Sequence, residues 1–180
     1  MSRLFGLILL LAVIASPMMA RGISAQDATP CPALTEEDAT AWVTTYFSAW
    51  NSHDPAQVTA LYAPDALHHW GVGIDTEGTD ELAASLEAFF AAFPGVRATV
   101  DHVWLAGDTV VVHWIAIGIQ ENDYMGVPAS LDTVTWTGLN VMQVECGLVV
   151  ETWSEADHFG RLEQMGIISL DPEADATPTA

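Results

Sequence analysis

The chain contains no lysine. Its four cations are Arg3, Arg21, Arg97 and Arg161, set against 24 aspartates and glutamates, for a formal net charge of −20 at pH 7. A surface this acidic repels phosphate backbones and anionic lipid, which argues against nucleic acid as a partner. Cysteine is scarce as well, with only Cys31 and Cys146 present. There is no CxxC, no HExxH and no Cys/His cluster. A zinc site therefore lacks a ligand set, and no metal is expected. Glycine-rich loops of the GxGxxG or GxxxxGK[ST] type are also missing. That removes the usual cradles for nucleotides, and no cofactor is expected.

Long apolar runs are confined to one place. Arg3 is followed by the run Leu4 to Ile14, then by Ser16, Pro17 and the small residues of ISAQ at 23–26. A short basic start, an apolar stretch of this length and a small-residue exit describe a secretory signal. The run is too short to span a bilayer comfortably, and Pro17 interrupts the stretch beyond it. Residues 1–25 are therefore expected to be removed, with cleavage after Ala25 or after Ala20; an uncleaved anchor is the competing reading. The mature protein is then secreted or extracytoplasmic, without stable membrane insertion, and keeps only Arg97 and Arg161 as cations. In an exported chain, an even pair of cysteines invites a disulfide, Cys31 to Cys146, against the alternative of two free thiols.

The rest of the chain is long enough for one domain with a real core. Residues 26–34 form a Pro-containing lead-in. Thr35 then caps a helix whose residues Ala39, Trp42, Val43, Tyr46, Phe47 and Trp50 form one helical stripe. Asp54 and Pro55 suit the N-cap and first position of a short second helix over AQVTALYA. ALHHWGVGIDTEG reads as a loop or short strand, and Thr79 as the cap of a third helix, DELAASLEAFFAAF. From Arg97 the period changes to two. Four strands follow, around the turns AGD and ECG. Helices followed by antiparallel strands argue an α+β fold with the helices packed on one face of a curved sheet. The acidic tail over 169–180 is expected to be disordered.

The stretches "AWNSHDPAQVTALYAPDALHH", "MGVPA", "GLNVMQV" and "GLVVETWSEADHFGRLEQMG" carry a resemblance. The first is similar to the opening of the nuclear transport factor two-like superfamily. The others resemble its SnoaL-like polyketide cyclase group, also called ester cyclases. The resemblance covers about residues 36–168, within a domain expected over 35–168. It implies a cone: a bent antiparallel sheet wrapped around three N-terminal helices, enclosing an apolar pocket. It further implies a pocket aspartate acting as acid and base with help from histidines. Asp157 fits that aspartate. Where relatives read Gly-Thr-His this chain reads Gly118-Ile119-Gln120, and Thr152 stands where many relatives have histidine.

These residues define the expected site. Asp157 and Gln120 are the catalytic candidates: a carboxyl in an apolar cavity has its pKa raised, and an amide can bond a substrate oxygen. Trp153 and Glu155 share a strand face with Asp157, and Trp114 shares one with Gln120. His69 is preferred over His68 as the inward member of its pair, because adjacent strand residues point opposite ways. Tyr46 and Trp50 are core residues within reach of the cavity. The expected ligand is a small apolar molecule. Two functions stay open, a cyclase or isomerase acting on an apolar carbonyl compound and a secreted binding protein without catalysis. Paired sheets make a homodimer the natural assembly.

Overall fold

A computed structural model describes residues 31–71 and 73–169. The expected signal, 1–25, lies outside the described residues, as does all but the first residue of the tail. The first helix, α1 (Glu36–Asn51), begins at Thr35 with a reciprocal cap. The Asp38 amide donates to Thr35 Oγ1 at 3.1 Å, and the Thr35 amide donates to the Asp38 carboxylate at 3.2 Å. Such a box satisfies two amides that the first turn would otherwise leave unpaired. Ala39, Val43, Tyr46 and Phe47 face the core from α1. The second helix, α2 (Pro55–Thr59), starts as read, with Asp54 Oδ1 accepting from the Ala56 amide at 3.0 Å.

The order of elements then departs from the expected one. The second helix stops at Thr59, because Tyr62 already belongs to a strand, β1 (Tyr62–Trp70), which hairpins into β2 (Ile74–Glu77). Helix α3 (Gly78–Ala92) follows with Glu77 at its N-cap, so Thr79 lies inside the first turn rather than capping it. Four strands come next: β3 (Arg97–Ala106), β4 (Thr109–Ile119), β5 (Thr133–Glu145) and β6 (Leu148–Ala156). The short α4 (His158–Gln164) ends the regular structure.

One six-stranded sheet runs in the order β2-β1-β6-β5-β4-β3. All neighbours are antiparallel except β1 and β6, which pair parallel. Parallel pairing needs a long crossover, and here nearly the whole domain separates the two strands. Register shifts interrupt β1–β6, β3–β4 and β5–β6. Each such irregularity bends its strand, and together they curl the sheet around the helices into the expected cone. The inner face is laid out by strict alternation. In β5, Val134, Trp136, Gly138, Asn140, Met142 and Val144 are buried, while the residues between them face outward.

The β5–β6 turn carries the covalent tie. Cys146 and Gly147 both have positive φ, 51° and 84°, the pattern of a two-residue hairpin turn. Cys146 is bonded to Cys31, with the Cα atoms 5.2 Å apart. The lead-in is thereby fastened to the hairpin, and the indole of Trp42 donates to the Gly147 carbonyl at 2.9 Å beside it.

Candidate functional site

A cavity of about 100 Å3 lies between the inner face of the sheet and the helices. Its walls are aromatic: Tyr46 and Trp50 from α1, Phe89 from α3, Trp114 from β4, Trp136 from β5 and Tyr124 from the β4–β5 connection. Gly138 on β5 makes room for one wall. A Cβ at that position would collide with the Trp114 indole and lie 2.6 Å from the Glu155 carbonyl oxygen. The seated indole donates to Asn140 Oδ1 at 2.9 Å. Deeper in, the hydroxyls of Tyr46 and Tyr62 bond each other at 2.9 Å. Burial raises both phenol pKa values, Tyr62 well above its ordinary range.

His68 is the cavity's unusual member. It is 4 % exposed, stacked on Trp70 with ring centroids 3.9 Å apart, and neither ring nitrogen has a hydrogen-bond partner among the described residues. Burial, then the neighbouring His69, pushes its pKa down to about 3, so the ring is neutral. A neutral imidazole carries one N–H and one lone pair, and both are unused here. In register, His68 sits between Thr76 of β2 and Thr152 of β6. Both threonine hydroxyls are also buried without a partner. Buried polar groups are paired in the great majority of cases, so a row of unpaired ones calls for water or a ligand.

Arg161, from α4, lines the same cavity as His68. It is 7 % exposed, and its guanidinium lies over the rings of Phe93 and Trp136 at 5.3 and 5.5 Å. Nη2 donates to His158 Nδ1 at 3.2 Å, and Nε is buried without a partner. Because Nδ1 accepts, His158 is neutral and carries its proton on Nε2. Burial lowers its pKa, and the Arg161 charge lowers it further. None of the described residues lining the cavity is an aspartate or a glutamate.

The expected site residues divide accordingly. Tyr46, Trp50 and Trp114 line the cavity. Asp157 does not: it is exposed, stands at the N-cap of α4, and accepts from the Gly160 amide at 2.8 Å. Trp153 and Glu155 do share its face of β6, but that face is the outer one, with Trp153 40 % exposed. The inward set on β6 is Thr152, Ser154 and Ala156. The alternation is simple, and the sheet's curl decides which set it encloses.

The same parity puts His68 inside and His69 outside, the reverse of the expected choice. His69 pairs with Asp75 at 2.9 Å and Glu151 at 3.0 Å, which raises its pKa, and stacks on Trp153. Gln120 is on the inner face and 1 % exposed, but it does not line the cavity. Its amide donates to the carbonyls of Val127 and Pro128 at 2.9 and 3.3 Å, holding the loop that contains MGVPA.

Sequence reasoning passed over His68, His158 and Arg161. For Arg161 a signal existed: Met165 lies four residues on, and both are buried on one helix face. On the outer face, Asp101, His102 and His113 bring three metal-ligand atoms within 4.8 Å of one another. Both imidazole Nδ1 atoms already pair with Asp101 Oδ2 at 2.8 Å, which lowers the aspartate's pKa.

Comparison with known proteins agrees with this architecture. IdmH from Streptomyces antibioticus, a proposed polyketide cyclase, superposes with a TM-score of 0.63 at 28% identity, over 71% of this chain and 98% of that one. AclR from Streptomyces galilaeus, a proposed hydroxylase, gives 0.67 at 20% identity, over 75% and 100%. A proposed SnoaL-like polyketide cyclase from Jannaschia sp. CCS1 gives 0.68 at 21% identity, over 80% and 99%. Among curated proteins, none matches the sequence. Residues 40–165 match the model of SnoaL-like polyketide cyclases, and the chain belongs to that family.

Proposed function

We propose that this chain is an exported small-molecule protein of the cyclase and isomerase class, with His68 carrying the proton in its cavity. The observation that supports the reading is the neutral, unpaired imidazole of His68 in a cavity whose described lining holds no carboxylate. His68 takes a proton from a carbon beside a carbonyl, and the C–H electrons pass to the carbonyl oxygen as an enolate. The imidazolium then returns the proton to a second carbon in an isomerisation. In a ring closure, the enolate carbon attacks a second carbonyl and the new alkoxide takes the proton. The side chains of Arg161 and His158 offer N–H groups where negative charge develops, the arrangement that lowers such barriers most. A resting pKa of about 3 makes His68 a weak base, and the enolate's charge raises that basicity as it forms.

Size narrows the substrate. Drug-sized sites run to about 300–1,000 Å3, and an engineered cavity of about 150 Å3 holds benzene. At about 100 Å3 the cavity suits a single ring or a short branched chain, not a polycyclic polyketide. The test is exchange of α-protons of small cyclic ketones into D2O, followed by NMR. The expected result is exchange above the buffer rate, reduced at least about 100-fold in His68→Gln. Equal rates in both proteins would remove His68 from the mechanism.

The second reading is a binding protein that uses the same cavity without turnover. The low basicity of His68 favours it. Binding of these ketones with no exchange would establish it.

Export rests on residues 1–25 acting as a signal. The Cys31–Cys146 disulfide supports it, and no helix among the described residues is long and apolar enough to cross a membrane. Fractionation of expressing cells with N-terminal sequencing checks this, and a chain found inside the cells alone, still starting at Met1, would refute it. Exposed Ile115, Ile117 and Ile119, on one face of β4, offer an apolar surface for a second copy. Sedimentation at micromolar concentration showing monomer alone would rule the homodimer out.

A further inference from the structure

We infer that the cavity's ligand is a small organic monoanion, a carboxylate or an ionised enol, held by Arg161. The inference rests on the reading of the cavity as a ligand site and names the chemistry of what enters it.

A mismatch of charge singles out Arg161. The chain carries 24 acidic residues and four arginines. Counter-charges for a cation are therefore abundant. Arg97, at the surface, donates to the Asn51 carbonyl at 2.7 Å. Arg161 is buried, and among the described residues no carboxylate oxygen lies within 4.0 Å of it. A guanidinium taken out of water without an opposite charge is costly, and removing it to an apolar side chain would relieve that cost. The faces of Phe93 and Trp136 and the lone pair of His158 compensate in part. None of them is an anion.

The guanidinium's own inventory shows what is missing. It has five N–H donors in a planar fork, a shape that matches a carboxylate with two parallel bonds. One donation, to His158, is made, and the Nε hydrogen points to no acceptor among the described residues. His158, as the Nε2–H tautomer, adds a further donor at the cavity wall. Tyr124 lines the same cavity close enough for the Arg161 charge to oppose the upward shift that burial imposes on its phenol. The surroundings of Arg161 are thus rich in donors and lack an acidic acceptor. The rest of the lining is largely aromatic and includes the unpaired His68. A ligand with an apolar body and one negatively charged head satisfies both features of the lining.

The experiment compares acids with their uncharged isosteres. Isobutyrate, cyclopentanecarboxylate and benzoate are titrated against isobutyramide, cyclopentanecarboxamide and benzamide, with the mature protein at pH 7, by calorimetry or tryptophan fluorescence. At least one acid is expected to bind at least 10-fold more tightly than its amide. The preference should fall to near unity in Arg161→Gln and persist, weakened, in Arg161→Lys, which keeps the charge but loses the fork. Thermal melts of both variants show whether they fold, and the wild-type comparison stands without them. Amides binding as well as acids would overturn the anion assignment and leave the cavity reading intact. Binding of neither series would overturn both. An acid preference unchanged in a folded Arg161→Gln protein would move the anion site away from Arg161 and overturn the inference.

Discussion

Arg161 and His158 stand three residues apart on one helix face, and the guanidinium donates to the imidazole Nδ1 at 3.2 Å. A cation that bonds a histidine's lone pair holds that histidine neutral, because protonation would lose the bond and set two positive charges together. Arg161→Gln is therefore expected to raise the His158 pKa toward its ordinary value of 6.5. An NMR pH titration of the ring protons reads this directly. No rise would mean that burial alone depresses His158.

His68 makes the fold sensitive to acid. Its pKa is about 3 in the folded protein against 6.5 in the unfolded chain. Between these values the unfolded chain binds the extra proton, so stability is full above pH 6.5 and falls as the pH drops toward 3. The loss from this group approaches about 5 kcal/mol at the acid end, as an upper bound. His69 acts in the opposite sense. Its pKa is raised by Asp75 and Glu151, so its contribution is complete below 6.5 and is lost as the pH rises through its folded value. Urea melts from pH 4 to 7 should show a shallower acid decline in His68→Phe than in the wild type. Parallel curves would place the acid sensitivity elsewhere.

Gly138 and Trp114 form a coupled pair across β4 and β5. Gly138→Ala sets a methyl group against the indole and the Glu155 carbonyl. Overpacking of this kind costs about 1–3 kcal/mol. The variant should lower the melting temperature and change the Trp114 emission as its bond to Asn140 is lost. An unshifted spectrum with an unchanged melt would show that the indole yields freely.

The disulfide closes a loop of 115 residues. In the chain-entropy description such a closure stabilises by about 4–5 kcal/mol. The double variant Cys31→Ser, Cys146→Ser is expected to lose stability on that order in urea unfolding, with cavity binding retained. A loss below about 1 kcal/mol would mean the oxidised protein gains little from the tie.

Much of the scaffold is legible in the sequence. Thr35 followed by acidic residues, Asp54 before Pro55 and the turn at ECG each have a local physical cause, so each can be placed from neighbours in sequence, while the cysteine pair, 115 residues apart, follows from there being just two cysteines. The aromatic stripe of α1 also lies on the core face, where its period put it. The inner lining is harder to read. Alternation groups Trp153, Glu155 and Asp157 together and pairs His68 against His69, but it does not say which group a curled sheet encloses. The match of Asp157 to the pocket aspartate implied by the resemblance points to the face that the structure turns outward. The inner face instead takes the small set of Thr152, Ser154 and Ala156, of which Ser154 and Ala156 line the cavity beside the aromatic side chains of α1, α3, β4 and β5. Strand β1 reads as no more than a loop or short strand because β6, one of its two partners, lies at the far end of the domain. Arg161 receives no role from the sequence, because charge is usually solvated, and only its spacing to Met165 points inward.

The most direct test of the proposed site is whether a ligand meets His68 or Asp157. Protein labelled with 15N in histidine and 13C in aspartate is titrated with cyclopentanone at pH 7, and both signals are followed. The ring nitrogens of His68, unpaired in the free protein, are expected to shift as the cavity fills. The Asp157 carboxyl, engaged as a helix cap, should stay where it was. A shift at Asp157 with His68 unmoved would contradict the His68 assignment and return the chemistry to the outer end of β6.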